Sequence, residues 1–145
     1  MTSDPVLLDS DTLSELSRGH RLVTARATTY LERHGRLTFS AITLFERLRG
    51  YRRAIGTGRP LHDHLHRFQF LARASIVLPI DAAVADQAAT IWAHATPRAR
   101  RAIGDILIAA TASAHRLPLI TRNRRDFSPM AAVAGIELTL LDWTR

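Results

Sequence analysis

Four acidic residues in this chain of 145 residues, Asp9, Glu46, Asp105 and Asp126, are spaced so that a simple fold would gather them. Asp9 ends the apolar run Val6-Leu7-Leu8, and Glu46 lies two turns into a helix expected after Leu37-Thr38-Phe39. Asp105 opens a long apolar segment, and Asp126 follows Leu119-Ile120-Thr121. Ligands of an open parallel sheet bind beyond the carboxyl ends of its strands. If those runs are parallel strands, the four carboxylates meet at one rim. Carboxylates brought together repel one another unless a hard cation neutralises them, and an all-oxygen donor set suits Mg²⁺ or Mn²⁺. Such an ion can make a nucleophile of bound water and stabilise charge on a phosphate during in-line displacement.

Each acid also has a purely local explanation. Asp9 and Asp11 are good caps for a helix beginning near Thr12, and Asp105, directly after Gly104, could cap the helix it opens. Glu46 falls off the apolar stripe of Leu44, Phe45, Leu48 and Tyr51, with Arg49 one turn on, as a surface ion pair would. Asp126, in Asn123-Arg124-Arg125-Asp126-Phe127, could be an ordinary turn residue.

The elements that must position these acids follow from periodicity. A buried first strand feeds a short helix stopped at Gly19, and a second helix covers Leu22 to Arg33 before Gly35. The second strand leads to Ser40, a cap for a helix from Ala41 to about Ala54. Gly56-Thr57-Gly58-Arg59-Pro60 breaks the chain. A helix then runs from Leu61 to Arg73, followed by strand Ile76-Val77-Leu78 and a helix from Asp81 through Trp92. Thr96 to Arg101 reads as a basic loop, and Ile103 to Ala114, apolar almost all round, as a helix buried in mid-domain. Leu119-Ile120-Thr121 and Ile136 to Leu140 supply the last two strands. Strands alternating with helices give an α/β fold: one domain over 1–145, with a central parallel sheet of about five strands flanked by helices on both faces.

Composition narrows the function. With no cysteine, disulfides, thiolate metal sites and a cysteine nucleophile are excluded, and the cytoplasm is the expected compartment. No signal-like segment and no apolar run of about 20 residues appears, so no membrane association is expected. The net charge is +7, and all 20 basic side chains other than histidine are arginines, which suit phosphate. His62, His64 and His66 crowd one helix, but two histidines at i and i+4 without a third ligand make a weak zinc or nickel site. Gly56-Thr57-Gly58 follows a helix and lacks a third glycine, so it is not a dinucleotide loop. Trp92 and Trp143 are expected to be packing residues and not base-stacking platforms.

Four segments together resemble the PIN-domain nucleases, and among them the VapC-type toxins of bacterial toxin–antitoxin pairs. They are Leu7-Leu8-Asp9-Ser10-Asp11-Thr12, Ser40 to Gly50 around Glu46, Ile103-Gly104-Asp105-Ile106-Leu107-Ile108-Ala109-Ala110, and Leu119-Ile120-Thr121-Arg122-Asn123-Arg124-Arg125-Asp126-Phe127. The resemblance implies that Asp9, Glu46, Asp105 and Asp126 are both metal ligands and catalytic residues, with Mg²⁺ or Mn²⁺ as cofactor. Ser10, Thr121 and Asn123 would support them, and Asp11, where many relatives carry asparagine, would be a further contact. The implied activity is metal-dependent endonucleolytic hydrolysis of RNA, with Arg98, Arg100, Arg101, Arg122, Arg124 and Arg125 the candidates for RNA phosphates. The implied partners are a cognate antitoxin and a second copy of the chain. The chain departs from the pattern in running directly from Gly104 to Asp105, where many relatives have two more residues. Alternatives are a non-catalytic RNA- or protein-binding module of this fold, a housekeeping nuclease without antitoxin, and a DNase or phosphatase using the same ions.

Overall fold

The computed structural model describes residues 4–145. Its strands are β1 (Leu7–Leu8), β2 (Thr38–Ser40), β3 (Ile76–Leu78), β4 (Leu119–Ile120) and β5 (Leu140–Leu141). All pair in parallel, in the order β3-β2-β1-β4-β5. The chain winds outward from β1 to β3 on one side and places β4 and β5 on the other. The strand order therefore reverses at β1, and the crevice beyond β1 and β4 is where such a sheet binds ligands.

Eight helices among the described residues connect the strands: α1 (Ser10–Ser17), α2 (Arg21–His34), α3 (Ala41–Gly56), α4 (His62–Arg73), α5 (Ala82–Ala93), α6 (Pro97–Arg101), α7 (Ile103–His115) and α8 (Arg124–Ala131). Both sheet faces are covered, as successive strand residues demand by pointing opposite ways. Leu7 and Leu119 join Ile106, Ile108, Ala109 and Ala112 of α7 in one core cluster, with Val84 and Ile91 of α5 and Phe127 of α8. Val6, Leu8, Phe39 and Ile120 face the other way, onto Leu13, Val23, Tyr30, Phe68 and Trp143. Ala109, Ala110 and Ala112 of α7 are fully buried, which lets that helix lie deep in the fold and holds its N-terminus, with Asp105, at the rim.

Two expectations and one local alternative need correction. Thr96 to Arg101 is not a loop: Thr96 Oγ1 accepts from Ala99 N at 3.2 Å and Pro97 takes the first turn, so these residues form α6. The acids' last segment is not a simple turn, since Arg124 begins α8. The final strand is Leu140–Leu141 and not Ile136 to Leu140. Ser113 Oγ of α7 accepts from Glu137 N at 3.1 Å, and Ile136 is buried in the α7 core, so this stretch is tied to a helix before it can join the sheet.

Candidate active site

Asp9 leaves β1 and caps α1. Its N–H donates to Ile120 O of β4 at 3.1 Å, and its Oδ1 accepts from Thr12 N at 2.7 Å. Thr12 Oγ1 donates to Ile120 O at 2.9 Å, locking the first turn of α1 onto β4. Capping thus falls to Asp9, and Asp11, expected as a cap, is left exposed on the cleft side of α1. Asp9 is 3% exposed, and burial pushes its carboxyl up from 3.8 to about 6. Hydrogen bonds from Thr121 and Thr12 offset part of that rise, and the charge of Asp11 adds to it.

Glu46 does not pair with Arg49, whose guanidinium lies 5.1 Å from the centre of the Phe45 ring. Its Oε1 instead accepts from Ser10 Oγ at 3.2 Å, and Ser10 also reaches Thr43 Oγ1 at 3.4 Å. The carboxylate lies against Gly104: a Cβ there would collide with Glu46 Oε2 and come within 3.1 Å of its Cδ. Glycine at this position lets the Glu46 carboxylate press onto the backbone that opens α7. Asp105, one residue later, has its carboxyl raised from 3.8 to about 6. Burial is the first cause, followed by the charges of Glu46, Asp126, Asp11 and Asp9. No capping role falls to Asp105, because Ala102 precedes α7 and makes no side-chain cap.

A cleft of about 450 Å³ receives Asp9, Ser10, Asp11, Glu46 and Asp105, with Asn123 at its edge. Asp126 lies to one side. Its Oδ1 pairs with Arg98 at 3.4 Å, its Oδ2 accepts from Asn123 Nδ2 at 2.9 Å, and it lines a smaller adjoining cleft that Asp105 also borders. Thr121 is fully buried, and its Oγ1 accepts from Asn123 N at 2.9 Å, bracing the turn between β4 and Asp126. Among the described residues no three histidine or acidic side chains are drawn tightly enough to hold an ion. Asp9, Glu46 and Asp105 line one cleft, and the charges of Glu46 and Asp9 both act on Asp105.

The sequence matches the PIN domain family over residues 6–133, nearly the whole chain and all four acids. The chain belongs to the PIN-domain family. No curated protein matches it in sequence. Solved structures share the PIN fold. A chain of a toxin–antitoxin complex from Klebsiella pneumoniae is 24% identical, with 92% of this chain and 95% of that one covered and a TM-score of 0.65. A chain of DNA-bound VapBC from Salmonella typhimurium is 24% identical, with coverage of 96% and 98% and a TM-score of 0.71. One of VapBC-1 from nontypeable Haemophilus influenzae is 22% identical, with coverage of 98% and 100% and a TM-score of 0.72.

Several residues of this PIN domain's site escape a reading of the sequence. Gly104 is one, its only signal being its place just ahead of Asp105. Arg47 is another: it lines the cleft beside Glu46, and its signal is a charged residue on the stripe otherwise made by Leu44, Leu48 and Tyr51. Most of the six candidate phosphate arginines already have protein contacts. Arg98 holds Asp126, Arg122 pairs with Glu15 at 3.2 Å, and Arg124 donates to Leu140 O at 3.1 Å. Arg100 lies 4.1 Å from the centre of the Trp92 ring, and Trp92 is 45% exposed. Trp143 is buried and packs against Tyr30, as a packing residue should. Only Arg101 and Arg125 of the six lack a side-chain hydrogen bond or ion pair among the described residues. The three histidines of α4 are all exposed and form no metal group.

Proposed function

We propose that this PIN domain is a divalent-metal-dependent endoribonuclease, and that it is the toxin of a toxin–antitoxin pair. The observation carrying the reading is the environment of Asp105, a part-buried carboxyl whose pKa is raised by burial and by the charges of Glu46, Asp126, Asp11 and Asp9. Four or five acids converging from distant parts of the chain raise the electrostatic energy of the fold, and a bound cation reverses that cost. The donor set is entirely oxygen, as Mg²⁺ or Mn²⁺ prefers. Asp9, Glu46, Asp105 and Asp126 would hold the ion, with Asp11 beside them. When bound, it supplies an acidified water and charge stabilisation at the phosphate.

The chain's own residues do the positioning. The cap bond to Thr12 fixes Asp9, Ser10 orients Glu46, and the bare backbone of Gly104 admits the Glu46 carboxylate. Asn123 and Arg98 hold the Asp126 carboxylate in place. Hydrolysis in this cleft adds water oxygen to phosphorus and breaks the P–O3′ bond, leaving a 5′-phosphate and a 3′-hydroxyl. Arg101 and Arg125 are the phosphate contacts best suited to the outer rim.

The toxin reading draws on the shared fold of chains from complexes described as toxin–antitoxin or VapBC. It brings a cognate antitoxin as partner, a two-fold homodimer as assembly and the cytoplasm as compartment. Among the described residues no helix is long and apolar enough to cross a membrane. One observation favours a second reading, a non-catalytic RNA- or protein-binding module: Asp9 already caps a helix and Asp126 is already paired with Arg98. Growth separates the two. Wild-type expression arrests growth, Asp9→Asn spares it, and a neighbouring gene product rescues it by forming a stable complex. Harmless expression of a protein that cuts RNA in vitro leaves a housekeeping nuclease, and harmless expression of one that binds RNA without cutting leaves the module.

A further inference from the structure

Arg47 is an unusual cation. It lies on α3 among apolar neighbours, with its guanidinium carbon 5.0 Å from the centre of the Phe68 ring and 5.6 Å from that of Tyr51. Nη1 donates to Ser14 Oγ at 2.7 Å and Nη2 to Tyr51 Oη at 2.8 Å. Nε is buried with no partner, and among the described residues no carboxylate pairs with the group. Even Glu46, its chain neighbour, bonds Ser10 instead. A guanidinium has five N–H donors, and the two hydrogen bonds above leave the rest unused. A partly buried cation without an anion is costly, and three side chains hold this one in place all the same.

Its position gives the reason. Arg47, Ser14 and Tyr51 line the same cleft as Asp9, Glu46 and Asp105, and exposed Arg59 lines it too, without a side-chain partner among the described residues. The cleft therefore carries two kinds of charge, the carboxylates and two guanidinium groups that no acid pairs with among the described residues. A cation suits the carboxylates and a phosphate the guanidinium groups, since planar arginine forks bind phosphate oxygens in pairs.

We propose that Arg47, with Arg59 beside it, forms a phosphate subsite that grips the RNA backbone next to the bond being cut. The inference rests on the ribonuclease reading and extends the RNA path from the rim of α6 and α8 toward α1 and α3. Arg47 is a binding residue here, and Ser14 and Tyr51 position it.

The test is equilibrium binding of labelled oligouridine, in EDTA and with Ca²⁺ in place of Mg²⁺, as a function of salt. Removing one phosphate contact lowers the log–log slope by about 0.7 for a single strand. Arg47→Gln is expected to lower the slope by that amount and weaken binding about tenfold, while Arg47→Lys retains the slope. Arg59→Gln, at an exposed position where folding is not at stake, is expected to lower the slope likewise. Unchanged slopes in Arg47→Gln and Arg59→Gln overturn the subsite. So does loss of binding to an acidic protein partner with RNA binding intact, which would give Arg47 to that partner. If Arg47→Gln does not fold, an unchanged slope in Arg59→Gln overturns it alone. Wild-type protein that binds no RNA in either condition sinks both readings. Protein that binds with an Arg47-dependent slope yet never cuts RNA in Mn²⁺ sinks the ribonuclease and leaves Arg47 as an RNA phosphate contact with no bond cut beside it.

Discussion

Asp9→Asn is expected to strengthen the metal-free fold while destroying the site. The Asp9 carboxyl titrates near 6 in the folded protein against 3.8 for the free side chain, chiefly because it is buried. The folded state therefore holds the proton more tightly than the unfolded state, and stability falls as pH rises from below 4 to above 6. At about 1.4 kcal/mol per pH unit, the ionised carboxylate costs the fold about 3 kcal/mol at neutral pH. Asparagine carries no charge and caps helices as well as aspartate does, so the bond from Thr12 N survives. The variant should gain up to about 3 kcal/mol at pH 8 in EDTA, and on the order of 3 °C in Tm per kcal/mol. Asp9→Ala removes the charge but also the cap, which costs about 1 kcal/mol, so its gain is smaller. Below pH 4 wild type and Asp9→Asn converge. Denaturant melts between pH 4 and 8 read the difference directly, and millimolar Mn²⁺ should then stabilise wild type but not the variant. A variant no more stable than wild type at pH 8, or a difference that does not shrink with acid, would refute the electrostatic account.

Gly104→Ala should leave folding intact, since alanine is favoured over glycine in a helix by about 1 kcal/mol, but it displaces Glu46 and should reduce cleavage by on the order of a hundredfold; undiminished cleavage would show that the contact is idle. Because Asp9 and Asp105 both titrate near 6, protons compete with metal there. The Mn²⁺ concentration giving half-maximal cleavage should climb steeply below pH 6 and flatten above pH 7, and a flat profile across that range would remove both carboxyls from the metal site. Arg101→Gln with Arg125→Gln should lower the salt slope of RNA binding by about 0.7 per contact, whereas Arg124→Gln, whose guanidinium serves Leu140 O, should cost stability first.

The fold is readable because its signals are local and redundant: short apolar runs after turn residues, a helix of Ile and Ala buried all round, and acids at the ends of the runs. Less legible are segments whose conformation is decided by a single contact. Thr96 and Pro97 turn a basic stretch into α6, and Ser113 diverts the backbone at Glu137 from the sheet. The candidate site is legible only as a pattern of acids along the chain. Periodicity puts Glu46 on a surface face, and nothing local shows that Ser10 and Gly104, from distant parts of the sequence, make a place for it. The arginines are least legible, because whether a guanidinium is free depends on tertiary partners: Arg98 and Arg122 are taken by acids, while Arg47, on a stripe that looks like core, is not.

The most direct test of the central claim is cleavage of a 5′-labelled structured RNA by wild type and by Asp105→Asn, each with Mn²⁺ and with EDTA. Asp105 is the carboxyl on which the other four acids act, and asparagine keeps its shape while removing the charge that a hard cation needs. Wild type with Mn²⁺ should yield discrete internal cuts ending in a 3′-hydroxyl, and the other three conditions none. Cutting that persists in EDTA, or in a folded Asp105→Asn protein, would contradict a metal-dependent nuclease centred on this acidic cleft.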